Sequence, residues 1–357
     1  MTQFKSTLIV LIANLVLGLL LCACSQRTME KGRTASSAKF SEPLRMAISP
    51  YQDTAFLVNV KSLGLGEKYG TKLELLTLPW EDILPAVASA GKTVDIGYAS
   101  LATYLTKSEN LNKQGNDPVL FIYPLLVFKG NGFVSFNPSV PVLNHESVNN
   151  NPLVKKFLSY KIGAPKSSFA QMLLYMLTKK IGMKFSNLPI TDTTMNDGLL
   201  AAENGSLDIA AAGVPQRTEA LKQYGRVVFS ADALGVGDIV GLVCKESVYK
   251  ERRKDIDSLI KMQFDCEKFV LNDLDHHSDA MLTYLKANAA TQYTLPEFKQ
   301  ALTYQYFPLS IKDAEKEMVF NKGKYSIDKQ TDAVNQYLLD IGAIKTARPT
   351  PKIISLN

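Results

Sequence analysis

The sequence predicts a two-lobed α/β fold with a ligand cleft between the lobes and two interlobe crossings. Three observations lead there. Val94-Asp95-Ile96-Gly97-Tyr98-Ala99-Ser100 is echoed by Leu207-Asp208-Ile209-Ala210-Ala211-Ala212-Gly213, each after an amphipathic segment closed by a glycine-containing turn. Strand and helix patterns alternate along both regions, as they do where helices connect the strands of a sheet. Asp238 to Cys244 then reads as an apolar strand returning to the first lobe. The second lobe is thereby inserted between two parts of the first, and two crossings permit rigid-body closure around a ligand.

The chain opens with processing sequence. Lys5 flanks an apolar run from Leu8 to Leu21 interrupted by Asn14, and the run ends at Leu21-Cys22-Ala23-Cys24. Its shortness and the polar residues after it argue against a permanent membrane helix. The stretch resembles a bacterial lipoprotein signal, which implies that Cys24, behind the small Ala23, is lipidated and heads the mature chain. Residues 25–42, rich in Ser, Arg, Lys and Glu, read as a flexible tether.

Ordered structure is expected from Leu44 to Ile48 as a strand, followed by a helix over Ala55 to Val60 and a second strand at Lys72 to Leu76. Trp80-Glu81-Asp82 begins the next helix, with Asp82 as its cap and Glu81 as a favourable early charge. Asp95-Ile96-Gly97 makes the third strand, Leu101 to Leu105 a helix, and Val119 to Phe128 a long strand. In the second lobe Lys161 to Ala164 reads as a strand, Pro165-Lys166-Ser167-Ser168 as a helix entrance and Phe169 to Leu177 as the helix. Val227 to Phe229 is a further strand, and the pattern from Val248 onward is mainly helical. The expected organisation is a signal region at 1–24, a tether at 25–42, lobe 1 at 43–128 and 238–345, lobe 2 at 129–237, and a tail at 346–357.

Composition narrows the function classes. About 330 residues after the signal suffice for two hydrophobic cores. The net charge of +6 is dispersed without a basic tract, so no nucleic-acid partner is expected. Cys244 and Cys266 leave two readings open, one disulfide or two buried thiols. No nucleophile elbow, phosphate-binding loop or dinucleotide fingerprint occurs, so no catalytic residue and no cofactor is assigned. His276-His277, among Asn272, Asp273, Asp275 and Asp279, lacks zinc-ligand spacing and reads as polar surface rather than metal.

Binding is better supported than catalysis. Ser49, Tyr51 and Asp53 follow the first strand, Trp80 stands at a helix entrance, and Ser100 and Thr103 follow the third strand. Ser167, Ser168 and Gln171 sit at the opposite helix entrance, where unpaired N–H groups and the helix dipole favour an anion. Asp197 offers an acceptor to a cation or hydroxyl. Each has a plainer reading beside it: the serines serve as helix caps, Trp80 as a core anchor, Asp197 as a surface cap, and Asp95 and Asp208 as structural groups of their turns.

The chain resembles the solute-binding proteins of ABC transporters in the nitrate, sulfonate, taurine and thiamine-precursor group. The resemblance is carried by Leu44 to Ala55, Glu67-Lys68-Tyr69-Gly70, Leu78 to Ala86, Asp95 to Ser100, Ile162 to Ala170 and Asn204 to Ile209. It implies a type II periplasmic-binding fold and a monomer anchored to the envelope through Cys24. It also implies capture of a small polar or anionic organic solute, delivered to a membrane permease driven by a separate ATPase. Ser49, Tyr51, Trp80, Ser100, Ser167 and Ser168 map onto the cleft by this resemblance. Ala102 and Val214 depart from a hydroxyl-rich, charged cleft and speak against a simple inorganic anion. A ligand sensor or scaffold on the same fold is the alternative, and a two-lobed enzyme stands behind it.

Overall fold

Eleven strands fall into two sheets in the computed structural model, which describes residues 42–89, 93–113, 117–289, 291–320 and 323–356. The expected signal region, Cys24 and nearly all of the tether lie outside those residues. The first sheet contains β1 (Leu44–Ile48), β2 (Leu73–Thr77), β3 (Ile96–Ser100), β4 (Val119–Phe128), β10 (Asp238–Lys245) and β11 (Gln305–Tyr306), in the spatial order β11-β4-β10-β3-β1-β2. The second contains β5 (Gly132–Ser135), β6 (Ile162–Gly163), β7 (Ile190–Thr191), β8 (Ile209–Ala212) and β9 (Arg226–Ser230), in the order β7-β6-β8-β5-β9.

The two orders have one plan. In each sheet three parallel strands lie side by side, and a strand arriving from the other sheet runs antiparallel next to the third. That arrival is β10 in the first sheet and β5 in the second. The chain crosses between sheets at residues 129–131 and again at 231–237. This is the two-lobed type II periplasmic-binding-protein fold with two interlobe crossings. β4 and β10 are buried almost from end to end, which accounts for their unbroken apolar runs.

The sequence echo has a definite structural meaning. The Arg45 N–H donates to Asp95 Oδ2 and the Asp95 N–H returns to the Arg45 carbonyl, both at 2.9 Å. In the second lobe the Lys161 N–H donates to Asp208 Oδ2 and the Asp208 N–H to the Lys161 carbonyl, both at 3.0 Å. Each aspartate thus pins the start of a third strand to the start of the first. Gly97 of β3 completes the unit in lobe 1: a Cβ there would stand 2.4 Å from Ile83 on α1 (Trp80–Ala88), so its absence lets that helix settle on the sheet.

Two local expectations change. Pro79, not Asp82, occupies the N-cap of α1, and Asp82 lies in the first turn, because proline's fixed φ already sets the entry geometry. Ala55 to Asn59 forms a 3₁₀ segment rather than an α-helix, and the chain then turns through Gly64 at φ 61°. Cys244 and Cys266 are both buried free thiols, which settles the reading that the sequence left open. The C-terminal residues carry no regular element yet are docked. Arg348 pairs with Glu109 at 2.8 Å, and the Ile354 N–H donates to the Ile122 carbonyl at 3.1 Å. Among the described residues no helix is long and apolar enough to cross a membrane.

Candidate functional site

A cavity of about 140 Å³ is lined from both lobes, by Asn131 of the first crossing and by Asp238, which opens β10 just after the second. That size admits a small molecule. From lobe 1, the loop after β1 supplies Tyr51, Gln52 and Asp53. The loop holds its shape because the Thr54 hydroxyl donates to the Ser49 carbonyl at 2.6 Å and the Ser49 hydroxyl to the Leu78 carbonyl at 2.9 Å. Trp80, first residue of α1, faces Tyr51 with ring centroids 6.1 Å apart.

Ser100 ends β3 and caps α2 (Leu101–Asn112) by accepting the Thr103 N–H at 3.1 Å. Its own hydroxyl donates to Thr103 Oγ1 at 3.0 Å. Asp238, opening β10, adds a carboxylate to the same helix entrance, with Oδ1 3.5 Å from the Ala102 N–H. The Gln330 side chain, from α6 (Ile327–Asp340), donates to that carboxylate at 2.9 Å. Burial raises the Asp238 carboxyl to about 7 against the favourable hydrogen bonds.

From lobe 2, Ser167 and Ser168 introduce α3 (Phe169–Lys180). Ser168 caps the helix by accepting the Gln171 N–H at 3.3 Å, and the Ser167 N–H donates to Gln171 Oε1 at 3.2 Å. Ser167 adopts φ 55°, a left-handed conformation uncommon outside glycine and held here by those bonds. Gly213 and Val214 open a further helix, α5 (Val214–Lys222), beside α4 (Met195–Glu203), whose first residue also lines the cavity.

Of the residues read from the sequence, Tyr51, Asp53, Trp80, Ser100, Thr103, Ser167 and Ser168 line this cavity. Ser49 stands behind it, its hydroxyl turned to Leu78. Gln171 lies under the helix entrance, where its side chain also meets the Ala164 carbonyl at 3.4 Å and the Tyr337 hydroxyl at 3.3 Å. Asp197 is exposed at the start of α4 and bonds to the Thr194 hydroxyl at 2.8 Å. The lining also includes Gln52, Glu81, Asn131, Lys166 and Asp238, which sequence reasoning passed over. Asp238 had one visible signal, a lone acid at the head of an apolar strand.

The buried charges in and around the cavity are carboxyls and one guanidinium, Arg217 of α5, which donates to the Gly130 carbonyl at 3.0 Å. Asp53 is buried, and desolvation raises its carboxyl to about 7. Behind it the Tyr98 hydroxyl donates to Gln263 at 2.6 Å, and Gln263 donates to Glu267 at 2.7 Å. Glu267 is fully buried and raised to about 8 by the same cause. Lys107 and Lys166 reach the cavity from exposed positions. Elsewhere, His276 pairs with Asp273 at 2.8 Å on the surface and His277 stacks on Phe269. Among the described residues no group of three or more His, Cys, Asp or Glu side chains is placed to hold a metal ion.

No protein-family model and no curated protein sequence matches the chain. Solved structures do match its fold. The periplasmic aliphatic sulphonate binding protein SsuA of Escherichia coli superposes with a TM-score of 0.63 at 14% identity, covering 86% of this chain and 95% of that one. The alkanesulfonate-binding protein SsuA of Xanthomonas axonopodis pv. citri, bound to MOPS, gives 0.60 at 14% identity over 85% and 96%. The periplasmic nitrate-binding protein NrtA of Synechocystis PCC 6803 gives 0.57 at 14% identity over 85% and 83%.

Proposed function

We propose that this chain is the extracytoplasmic solute-binding component of an ABC importer, capturing a small polar or anionic organic molecule and handing it to a permease served by a separate ATPase. The observation that carries this reading is the cavity itself, walled by both lobes and by Asn131 of the first crossing, with Asp238 just after the second. The shared fold with sulfonate- and nitrate-binding proteins supports it. Lobe 1 comprises 43–128 and 238–345 and lobe 2 comprises 129–237 in this reading. Tyr51, Asp53, Trp80, Ser100, Thr103, Ser167 and Ser168 contact the ligand, while Ser49 and Gln171 brace the loops that do. Cys24 anchors a monomer to the envelope by lipid, and residues 25–42 form the leash.

The chain acts by binding and release, without turnover. Mass spectrometry of small molecules released from the protein purified under native conditions identifies the occupant. Small-angle scattering should then show a smaller radius of gyration on adding it back. Absence of saturable binding across a broad metabolite screen of the folded protein would overturn the receptor reading, and saturable binding without association with any permease would favour a sensor or scaffold.

A further inference from the structure

Lobe 2 is gripped at a place away from the crossings. Gln171, Tyr175 and Lys179 recur every four residues along α3, so their side chains share one face of the helix. That face meets α6 through Tyr337 and Asp340, three residues apart and likewise on one face. The Tyr175 hydroxyl donates to Asp340 Oδ2 at 2.6 Å, and Lys179 pairs with the same oxygen at 3.1 Å. The Tyr337 hydroxyl donates to Gln171 Oε1 at 3.3 Å. Its ring centroid lies 5.3 Å from that of Tyr175 and 5.9 Å from that of Phe185, and both tyrosines are buried.

α6 itself is tied to the first sheet. Gln330 accepts the Ile239 N–H of β10 at 2.8 Å and donates to the Gly237 carbonyl of the second crossing at 3.3 Å. Asn335 exchanges two hydrogen bonds of 2.8 Å with Arg348, which pairs with Glu109 of α2. The helix therefore travels with lobe 1 while its far end holds lobe 2. From Gln330 to Asp340 it runs about 15 Å, so rotation about the crossings would part α3 from α6 there. Each of these contacts joins side chains of this chain, and none needs a ligand to form. Contacts made only with the lobes together favour the closed form.

The gripped helix is also the one whose entrance walls the cavity. Ser167 and Ser168 introduce α3, and the Ser167 N–H donates to Gln171 Oε1, the atom that accepts the Tyr337 hydroxyl. One oxygen thus joins the left-handed turn at Ser167 to the opposite lobe.

We propose that α6 is an interlobe strap, which holds the lobes together before any ligand arrives and makes Tyr337 and Asp340 positioning residues for the wall of Ser167 and Ser168. This builds on the receptor reading, which supplies the ligand contacts at that wall.

Zero-length cross-linking of the full-length protein, dialysed free of small molecules, tests the strap. A water-soluble carbodiimide joins a lysine to a carboxylate in contact with it, and mass spectrometry locates the amide. Two pairs span the lobes, Lys179 with Asp340 at 3.1 Å and Lys222 with Glu297 at 3.5 Å. Lys250 and Glu246, 2.8 Å apart on one helix, calibrate the yield. Wild type should give both interlobe amides. D340A should lower the amide between Lys222 and Glu297 at least threefold against the standard, and hydrogen exchange over residues 166–171 should quicken severalfold. Should D340A fail to fold, Y175F, which removes one hydroxyl, should lower both interlobe amides and quicken the same exchange. Absence of either amide from the wild type, or either readout untouched by the variant, overturns the inference. No solute enters these measurements, so a strap that fails leaves the receptor reading intact, and a chain that binds no solute leaves the strap intact.

Discussion

Asp95 clasps Arg45 in lobe 1 as Asp208 clasps Lys161 in lobe 2, through the same pair of backbone and carboxylate hydrogen bonds. Beyond the strands that follow, the lobes part company. β3 runs into an entrance already closed by Ser100 and Asp238, whereas β8 runs into Gly213 and Val214, with no side-chain cap. The wall of lobe 1 holds Asp53, Glu81 and Asp238 beside Tyr51, Trp80 and Lys107; that of lobe 2 carries hydroxyls and helix N–H groups with Lys166. Sheet wiring tolerates little variation because each clasp sets strand register. The loops beyond the strand ends are free to diverge, and the ligand is met there.

The largest expected effect breaks the symmetry by pH. Asp53, Asp238 and Glu267 hold protons in the fold up to about 7, 7 and 8, where carboxyls of the unfolded chain have long lost theirs. The folded state then binds more protons, so stability falls as pH rises from the acid range through these values. Between pH 6 and pH 8 the ligand-free chain should lose on the order of 4 kcal/mol, read as a falling Tm, with D53N flattening part of the slope. A Tm level across that range would remove the acidic wall from the account.

Next comes packing. Gly97→Val drives a side chain into Ile83 and Val87 and should destabilise lobe 1 by about 3 kcal/mol in denaturant unfolding. The corresponding Ala210 in lobe 2 already carries a Cβ, so Ala210→Gly should cost about 1 kcal/mol. The clasps themselves follow. Asp95→Ala removes a partner of both the Arg45 backbone and its guanidinium, the latter at 2.6 Å, and should cost about 2 kcal/mol. Asp208→Ala loses the Lys161 N–H and the Asn137 amide at 3.1 Å and should cost about 1 kcal/mol. Equal costs would mean that the charge on Arg45 adds nothing.

The smallest effect divides structure from binding. Ser100→Ala and Ser168→Ala each remove a cap and should each cost about 1 kcal/mol of stability. Ser168→Ala should also weaken the identified ligand severalfold in calorimetry, and Ser100→Ala less so, since Ser100 spends its hydroxyl on Thr103. Matching losses of affinity would erase the distinction between the two walls.

Much of the frame was legible before any coordinates. The run from Val119 to Phe128 is β4 over the same residues, and Phe169 opens its helix behind Ser168 as the cap pattern indicates. These are local matters: side-chain periodicity, capping and glycine turns act within a few residues. The echo also pointed to structural aspartates rather than reactive ones, and their hydrogen bonds bear that out.

Which groups face the cavity depended on distant partners. Ser49 reads like its neighbours Tyr51 and Asp53, yet Leu78, far along the chain, turns its hydroxyl away. Gln171 follows Ser168 by three residues, yet its side chain is engaged by Tyr337 and Ala164 and does not line the cavity. Asp238 meets Ala102 and Gln330 only because an inserted lobe returns the chain beside β3 and the C-terminal helix packs across it. Period and composition sufficed for two lobes and a space between them, because each strand and helix is written in adjacent residues. The polarity of that space belongs to the tertiary structure, because desolvation and pairing are set by neighbours that the sequence keeps far apart.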